Sequence, residues 1–327
     1  MQIHVLVIDG VADIGLSTVL ETLNYANQLA PLLDPAPAPL EITLIGTRRT
    51  MRTINGFEVP TELLENSLRP DAIVIPALGA LAPAQVEASL ERPELGAVMS
   101  AIVAKAREAV WIGAACTATF LLAETGLLNG HTATTSWWLA PLFRRRYPQV
   151  TLDDSRMVVL SAPYVTAGAA LAHVDLALGL VRRRSPTLAA LTARYLLVDP
   201  RASQAVYAIP DHLAHADPLV ERFEAWARRN LASGFSLAEA AYAVGTSERT
   251  LARRLKHTLG KTPLGFVQDL RVEHAVHLLQ TSHDSIEKVA EQVGYSDGVT
   301  LRTLLRRKLG RSVRDLRRDA ARGLASS

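Results

Sequence analysis

Residues 110–123 read VWIGAACTATFLLA, and Cys116 within that run is the one cysteine of the chain. A β-rich run ends at Gly113, small residues make a turn, and a helical pattern begins at once. A nucleophile needs that placement. The tight strand-to-helix turn lifts its side chain from the sheet, and the helix N-terminus favours a thiolate. A lone cysteine excludes an intramolecular disulfide framework and a cysteine-rich zinc site, and neither a metal nor a cofactor is expected.

The second chemistry-bearing group is a repeat. Ser236–Gly260 (SLAEAAYAVGTSERTLARRLKHTLG) and Ser285–Gly310 (SIEKVAEQVGYSDGVTLRTLLRRKLG) match at an offset of 49, pairing Ser236 with Ser285, Gly245 with Gly294 and Ser247 with Ser296. Each unit has a capping Ser, a short helix, a Gly turn, a second capping Ser and a basic helix, the pattern of a helix-turn-helix. In the first basic helix Leu251 and Leu255 face the core. Arg249, Thr250, Ala252, Arg253 and Lys256 then lie on a face able to enter a DNA major groove. In the second, Leu301 and Leu305 face inward, Val299, Arg302 and Thr303 face the groove, and Arg306, Arg307 and Lys308 suit phosphates. Pro263–Gln280 reads as one connecting helix of roughly 27 Å. Such a strut is long enough to set two recognition helices about one DNA turn, ~34 Å, apart.

The elements that must position these residues differ along the chain. Ile3–Ile8, Glu41–Gly46, Ala72–Pro76, Ala109–Gly113 and Met157–Leu160 read as strands, and Leu16–Leu29, Val98–Ala109, Ala118–Glu124 and Ala170–Arg182 as helices. That alternation predicts an α/β doubly wound, mostly parallel sheet, with ligands beyond the strands' C-terminal ends. Beyond Leu219 the pattern is helical only. We therefore expect a domain over 1–199, a linker over 200–217 and an all-α domain over 218–327.

Of 327 residues 49% are hydrophobic and 20% charged, which excludes a largely disordered or low-complexity chain. The net charge of +3 is unevenly placed: from Arg201 onward there are 20 Lys and Arg against 14 Asp and Glu. That is the footprint of a polyanion-binding module joined to a less basic domain. The opening MQIHVLVIDGVAD lacks a basic leader, and no stretch reaches the ~18 apolar residues of a spanning helix. A soluble, cytoplasmic protein without membrane partners is expected.

The first 198 residues resemble the DJ-1/PfpI, or class I glutamine amidotransferase-like, flavodoxin-like domain. The resemblance rests on the opening strand, the IPALG loop (Ile75–Gly79), the Cys116 turn, GLLNG with ATTSWW (Gly126–Trp138) and VTAGA (Val165–Ala169). Leu219–Arg318 resembles the AraC/XylS-type DNA-binding domain through SERTLARRLK (Ser247–Lys256), LRVEHAVHLL, VGYSD and the basic run Arg306–Leu316. Leu255, Leu305 and Leu316 replace frequent aromatics and Val313 a frequent proline, all apolar exchanges. The pair together is similar to GlxA-type transcription regulators.

That resemblance implies a sequence-specific DNA-binding transcription regulator, an activator, working as a homodimer on double-stranded DNA with RNA polymerase as a partner. Its first domain would bind a small effector of amino-acid or betaine-like chemistry. Active relatives pair the cysteine with a histidine in the ATT-x-W segment and an acid after the first strand. Here Ser136 and Gly15 stand at those places, and His131 and His173 do not match them. A thiolate without a placed base is a poor hydrolytic catalyst, so a non-enzyme is expected. Cys116 is then a packing residue or a ligand contact. The surviving pocket would use the N–H groups around Leu78–Gly79 and Cys116–Thr117 to hold an anion, with Ser136, Trp137, Trp138 and Thr166 as walls. A tryptophan face also accepts a quaternary ammonium. The rivals are a Cys116-dependent amidase or glyoxalase-like hydrolase tethered to DNA, and an architectural DNA protein with no effector.

Overall fold

The computed structural model describes residues 1–64, 70–107, 110–199, 203–204, 217–282 and 284–317. The chain divides into two compact units, Met1–Gln204 and Ala205–Ser327. Of the expected linker, residues 200–202 and 205–216 lie outside the described residues, as do Ala109, the expected end of a helix, and 318–327 at the C-terminus. Ser203 and Gln204, expected to belong to the linker, are packed onto the first unit: the Ser203 hydroxyl and the Gln204 N–H both donate to Ser155 O.

In the first unit the strands are β1 (Gln2–Leu6), β2 (Glu41–Gly46), β3 (Thr50–Arg52), β4 (Glu58–Pro60), β5 (Glu62–Leu63), β6 (Ala72–Ile75), β7 (Trp111–Ala115), β8 (Thr132–Ala133), β9 (Thr151–Leu152), β10 (Val158–Ser161) and β11 (Tyr164–Ala167). Seven form one sheet in the order β10-β11-β7-β6-β1-β2-β5. Neighbours run parallel except β10 against β11. The central strands are apolar on both faces because both are covered. Ile3, Val5, Val7 and Val74 pack with α1 (Asp13–Leu29), α6 (Ala172–Arg184) and α7 (Pro186–Tyr195). Leu6, Ile73, Ile75 and Ile112 pack with α2 (Pro83–Leu90), α3 (Glu94–Ala106), α4 (Ala118–Glu124) and α5 (Ala140–Arg146).

Two helices that the periodicity does not show start at prolines. Pro83 and Pro186 open α2 and α7, where a missing N–H costs nothing. Ser185 caps α7 by accepting Leu188 N–H at 3.2 Å.

The second unit is helical throughout its described residues: α8 (Pro218–Arg229), α9 (Leu237–Ala243), α10 (Glu248–Leu259), α11 (Pro263–Thr281), α12 (Ile286–Gln292) and α13 (Gly298–Leu309). The caps at Asp217, Ser236, Ser247, Thr262 and Ser285 each accept a backbone N–H from the first turn. Ser296, the expected cap of α13, is corrected: Asp297 accepts Thr300 N–H at 2.7 Å instead. The second turn carries one residue more than the first, so the repeat offset becomes 50 along the recognition helices, pairing Leu251 with Leu301, Arg253 with Thr303 and Gly260 with Gly310. A carboxylate also favours the positive end of the helix dipole more than a hydroxyl does.

Candidate ligand pocket and nucleic-acid interface

Cys116 sits between β7 and α4 at φ 57°, a left-handed conformation costly for any side chain bearing a Cβ. Its own N–H donates to Ala167 O at 2.9 Å, tying the turn to the end of β11. The Sγ lies 2.9 Å from Ser136 Oγ, and both residues are buried. Burial pushes the thiol pKa up, outweighing the hydrogen bonds from Ser136 and Thr117 that favour the thiolate. The group here is a neutral thiol.

Of the expected residues, Leu78, Thr117 and Ser136 are bonded at or beside this turn. Thr117 Oγ1 donates to Leu78 O at 2.7 Å, and Thr135 Oγ1 donates to Cys116 O at 2.8 Å. Thr166 Oγ1 accepts Thr134 N–H at 2.8 Å. Trp137 and Trp138 meet edge-on at 5.5 Å, and Trp138 Nε1 donates to Leu81 O. Two amides of the expected anion cradle are corrected, however. Gly79 N–H is spent on Gly10 O at 2.8 Å and Cys116 N–H on Ala167 O, so neither of these two is left for a carboxylate. A Cβ on Gly79 would meet Gly10 O at 2.6 Å, so this loop is packed backbone against backbone.

His173 explains the missing acid. It is fully buried, its Nδ1 side faces Ala170 O and its Nε2 accepts Ala77 N–H at 3.0 Å. A Cβ at Gly15 would stand 2.7 Å from that Nε2, so the glycine leaves room for the ring. Burial lowers the His173 pKa to about 4, and the ring stays neutral. With both nitrogens engaged it offers no base. His131 faces Ser161 Oγ at 3.0 Å and stacks edge-on with Tyr164. Among the described residues no group of three or more His, Cys, Asp or Glu side chains is placed to hold a metal.

Sequence reasoning missed Gln204. Its Nε2 donates toward Thr134 Oγ1 at 3.1 Å, Thr135 O at 2.8 Å and Arg156 O at 3.1 Å. No local pattern signals it, because all three acceptors lie far away in the sequence.

On the second unit, Arg249, Arg253 and Lys256 of α10 are exposed, with Thr250 and Ala252 half-buried beside them. Leu251 and Leu255 are fully buried beneath. On α13, Val299 is 67% exposed, Arg302, Thr303, Arg306 and Arg307 are exposed, and Leu301 and Leu305 are buried. Arg302, Thr303, Arg306 and Arg307 line a hollow of about 670 Å³ with Ser312, Val313 and Arg314. Four guanidinium groups line this concavity, of which Arg302 is paired with Glu287 at 3.2 Å. Arg314 belongs to the basic run Arg306–Leu316 read from the sequence. Lys308, expected on phosphate, is corrected: its Nζ lies 2.7 Å from Asp269 of α11 and braces the strut.

Arg271 of α11 is a second missed residue, readable as the one cation amid the apolar positions of LRVEHAVHLL. It is 6% exposed and donates to Leu231 O at 3.1 Å and Ser233 O at 2.6 Å. Its guanidinium lies 5.1 Å from the Tyr295 ring centroid. It thereby bolts the loop after α8 to the second Gly turn, where a Cβ on Gly294 would come within 2.3 Å of Leu231 O.

Residues 1–183 match the DJ-1/PfpI family and residues 240–319 match a helix-turn-helix domain. The HTH-type transcriptional activator RhaS of Escherichia fergusonii is 36% identical over 109 residues, 33% of this chain and 39% of the relative. The HTH-type transcriptional regulator ArgR of Pseudomonas aeruginosa is 27% identical over 208 residues, 62% of this chain and 63% of that protein. The chain thus spans less than two thirds of the length of these relatives. A Vibrio parahaemolyticus crystal structure superposes with a TM-score of 0.51 at 18% identity, covering 60% of this chain and 98% of that one, and shows the shared fold.

Proposed function

The chain belongs to the DJ-1/PfpI family, and from that premise we propose that it is a sequence-specific DNA-binding transcription regulator, an activator, controlled by a small effector held in residues 1–199. The observation that carries this reading is the matched pair of exposed basic recognition helices set on buried leucines. Residues 218–327 bind double-stranded DNA through Arg249, Thr250, Ala252, Arg253 and Lys256 in one major groove and Val299, Arg302 and Thr303 in the next, with Arg306 and Arg307 on phosphates. Residues 200–217 link the two parts. The relatives named above, an activator and a regulator, support this assignment.

The first unit would bind an amino-acid or betaine-like effector against Cys116, Thr117, Ser136, Trp137, Thr166 and the Leu78–Gly79 loop, and pair two chains into a homodimer that meets RNA polymerase. Effector binding shifts the balance between two arrangements of the dimer, and only a difference in affinity between them moves DNA binding. The chain works without enzyme activity, because its thiol is neutral and its nearby histidine has no free nitrogen.

Duplexes selected from a random pool by the full chain test the interface. Arg253→Ala is expected to relax preference at one base position by about 1–3 kcal/mol, and Arg306→Ala with Arg307→Ala to flatten the salt slope by about 1 per residue. Unchanged preference and slope in both variants would sink the assignment.

The strained Cys116 turn favours one other reading, a cysteine hydrolase. Amide and 2-oxoaldehyde substrates given to wild type beside Cys116→Ala decide it: the regulator reading expects no turnover that depends on the thiol.

A further inference from the structure

Ser203 and Gln204 form a short strap bonded to Ser155 O, and Gln204, the last residue of the first unit, is 1% exposed and reaches from it into the network around Thr134 and Thr135. Its carboxamide nitrogen faces Thr134 Oγ1, Thr135 O and Arg156 O at 3.1, 2.8 and 3.1 Å. Thr134 Oγ1 gives its own proton to Arg156 O, so all three neighbours act as acceptors and the amide cannot be turned around. Its Oε1 is buried and has no hydrogen-bond partner among the described residues. The floor of the slot is Gly168, where a Cβ would stand 2.4 Å from that oxygen.

The fit is imperfect in a specific way. An amide nitrogen carries two protons for three acceptors, and the other half of the group is left unsatisfied. A primary ammonium carries three donors and no acceptor, and matches the slot better than the group that fills it. The carbonyl oxygens and the hydroxyl present their negative ends to the nitrogen, which suits a cation. The Arg156 guanidinium does not oppose one, since it is 67% exposed and turned to Asp153 at 3.6 Å.

We propose that this slot is a binding site for the ammonium group of a primary amine, and that Gln204 is a plug which such a ligand displaces. Expulsion of the plug loosens the strap, because the Gln204 N–H and Ser203 Oγ bonds to Ser155 O hold the same two residues. Gln204 is the last residue of the first unit, so occupancy of the slot acts on the residue at which that unit ends. The inference rests on the effector-controlled reading above, names the chemistry of its ligand and places it one layer behind Cys116. Thr135 links the two places, giving its hydroxyl to Cys116 O and its carbonyl to Gln204.

The test uses the full chain with methylammonium chloride as probe and tetramethylammonium chloride at equal concentration as control, since the latter has no N–H. Hydrogen–deuterium exchange of the segment ending at Gln204 is expected to rise several-fold in wild type with methylammonium and to stay put with tetramethylammonium. Gly168→Ala, which intrudes on the plug without altering it, should raise that exchange with no salt added. Gln204→Ala leaves the slot empty. Its melting temperature should climb saturably with methylammonium, at about a tenth of the wild-type midpoint or less, since no plug has to be expelled first.

Equal responses to the two salts, or a Gly168→Ala strap that exchanges like wild type, would overturn the proposal. Fluorescence anisotropy of a labelled duplex in the same samples separates the two readings. Duplex binding with a slot that answers both salts alike removes the slot and leaves the DNA-binding assignment standing. A methylammonium-selective slot in a chain that binds no duplex keeps the slot and removes that assignment.

Discussion

His173 in the first unit and Arg271 in the second are both buried and both able to carry a positive charge in water, yet the fold treats them in opposite ways. His173 can shed its proton, and burial makes it do so: its pKa falls to about 4 and each ring nitrogen meets one backbone group. Arg271 cannot shed its charge. The second unit therefore brings two carbonyls and the face of Tyr295 to it. The first interior is neutral and closed, with a thiol that burial also keeps protonated. The second is built around a cation and carries more cations outside, where Arg249, Arg253, Arg306 and Arg307 meet solvent. A neutral His173 and a protonated thiol suit holding a ligand better than proton transfer, whereas surface guanidinium groups suit counterion release on a nucleic acid.

The comparison breaks most readily at the bolt. Gly245 and Gly294 occupy equivalent turns at φ 72° and 82°, but a Cβ meets nothing at the first and meets Leu231 O and Arg271 at the second. Gly294→Ala should cost ~4 kcal/mol, adding left-handed strain to lost charge-assisted hydrogen bonds. Gly245→Ala should cost only ~1 kcal/mol, from strain alone. Urea unfolding of the two variants, followed by Trp226 fluorescence, measures both. Equal costs would mean that Arg271 carries no stability.

The neutral interior predicts the next effect. The unfolded His173 ring takes a proton near 6.5 and the folded ring only near 4, so the unfolded chain binds more protons between those values. Stability from this residue is full above about pH 6.5 and is lost as the pH falls toward 4. The whole difference is about 3 kcal/mol by linkage. His173→Gln, which titrates nowhere in that range, should flatten the melting-temperature profile of the first unit between pH 4 and 6.5. A profile as steep as wild type would place the acid sensitivity elsewhere.

What the sequence made legible is what local pattern determines. The Cys116 turn lies within one strand-to-helix run, and Leu251, Leu255, Leu301 and Leu305 are four apart on one helix face, so each was readable from neighbours alone. Asp297 was missed because Ser296 stands at the matching offset and is itself a good cap; only the longer turn moves the start of α13 onward. The N–H groups of Gly79 and Cys116 look free in the sequence because their acceptors, Gly10 O in the turn after β1 and Ala167 O at the end of β11, are brought near only by the fold. Lys308 and Gln204 repeat that lesson at 39 and about 50 to 70 residues of separation. Charge alone places a lysine on phosphate until Asp269 is found beneath it.

The smallest expected effect is at Ser136, and it sharpens the claim that the thiol is not poised to react. If Ser136 only satisfies a buried thiol, Ser136→Ala costs about 1 kcal/mol of stability, the usual worth of one internal hydrogen bond. Iodoacetamide should then label Cys116 slowly at pH 7 in wild type and variant alike, because burial and not the hydroxyl sets the protonation of the sulfur. A thiol held as a thiolate by Ser136 would behave differently: wild type would label quickly and the variant slowly. Fast labelling that depends on Ser136 would also reopen the hydrolase reading, since it would show that the strained turn at Cys116 stores reactivity and does not merely close the sheet over a ligand.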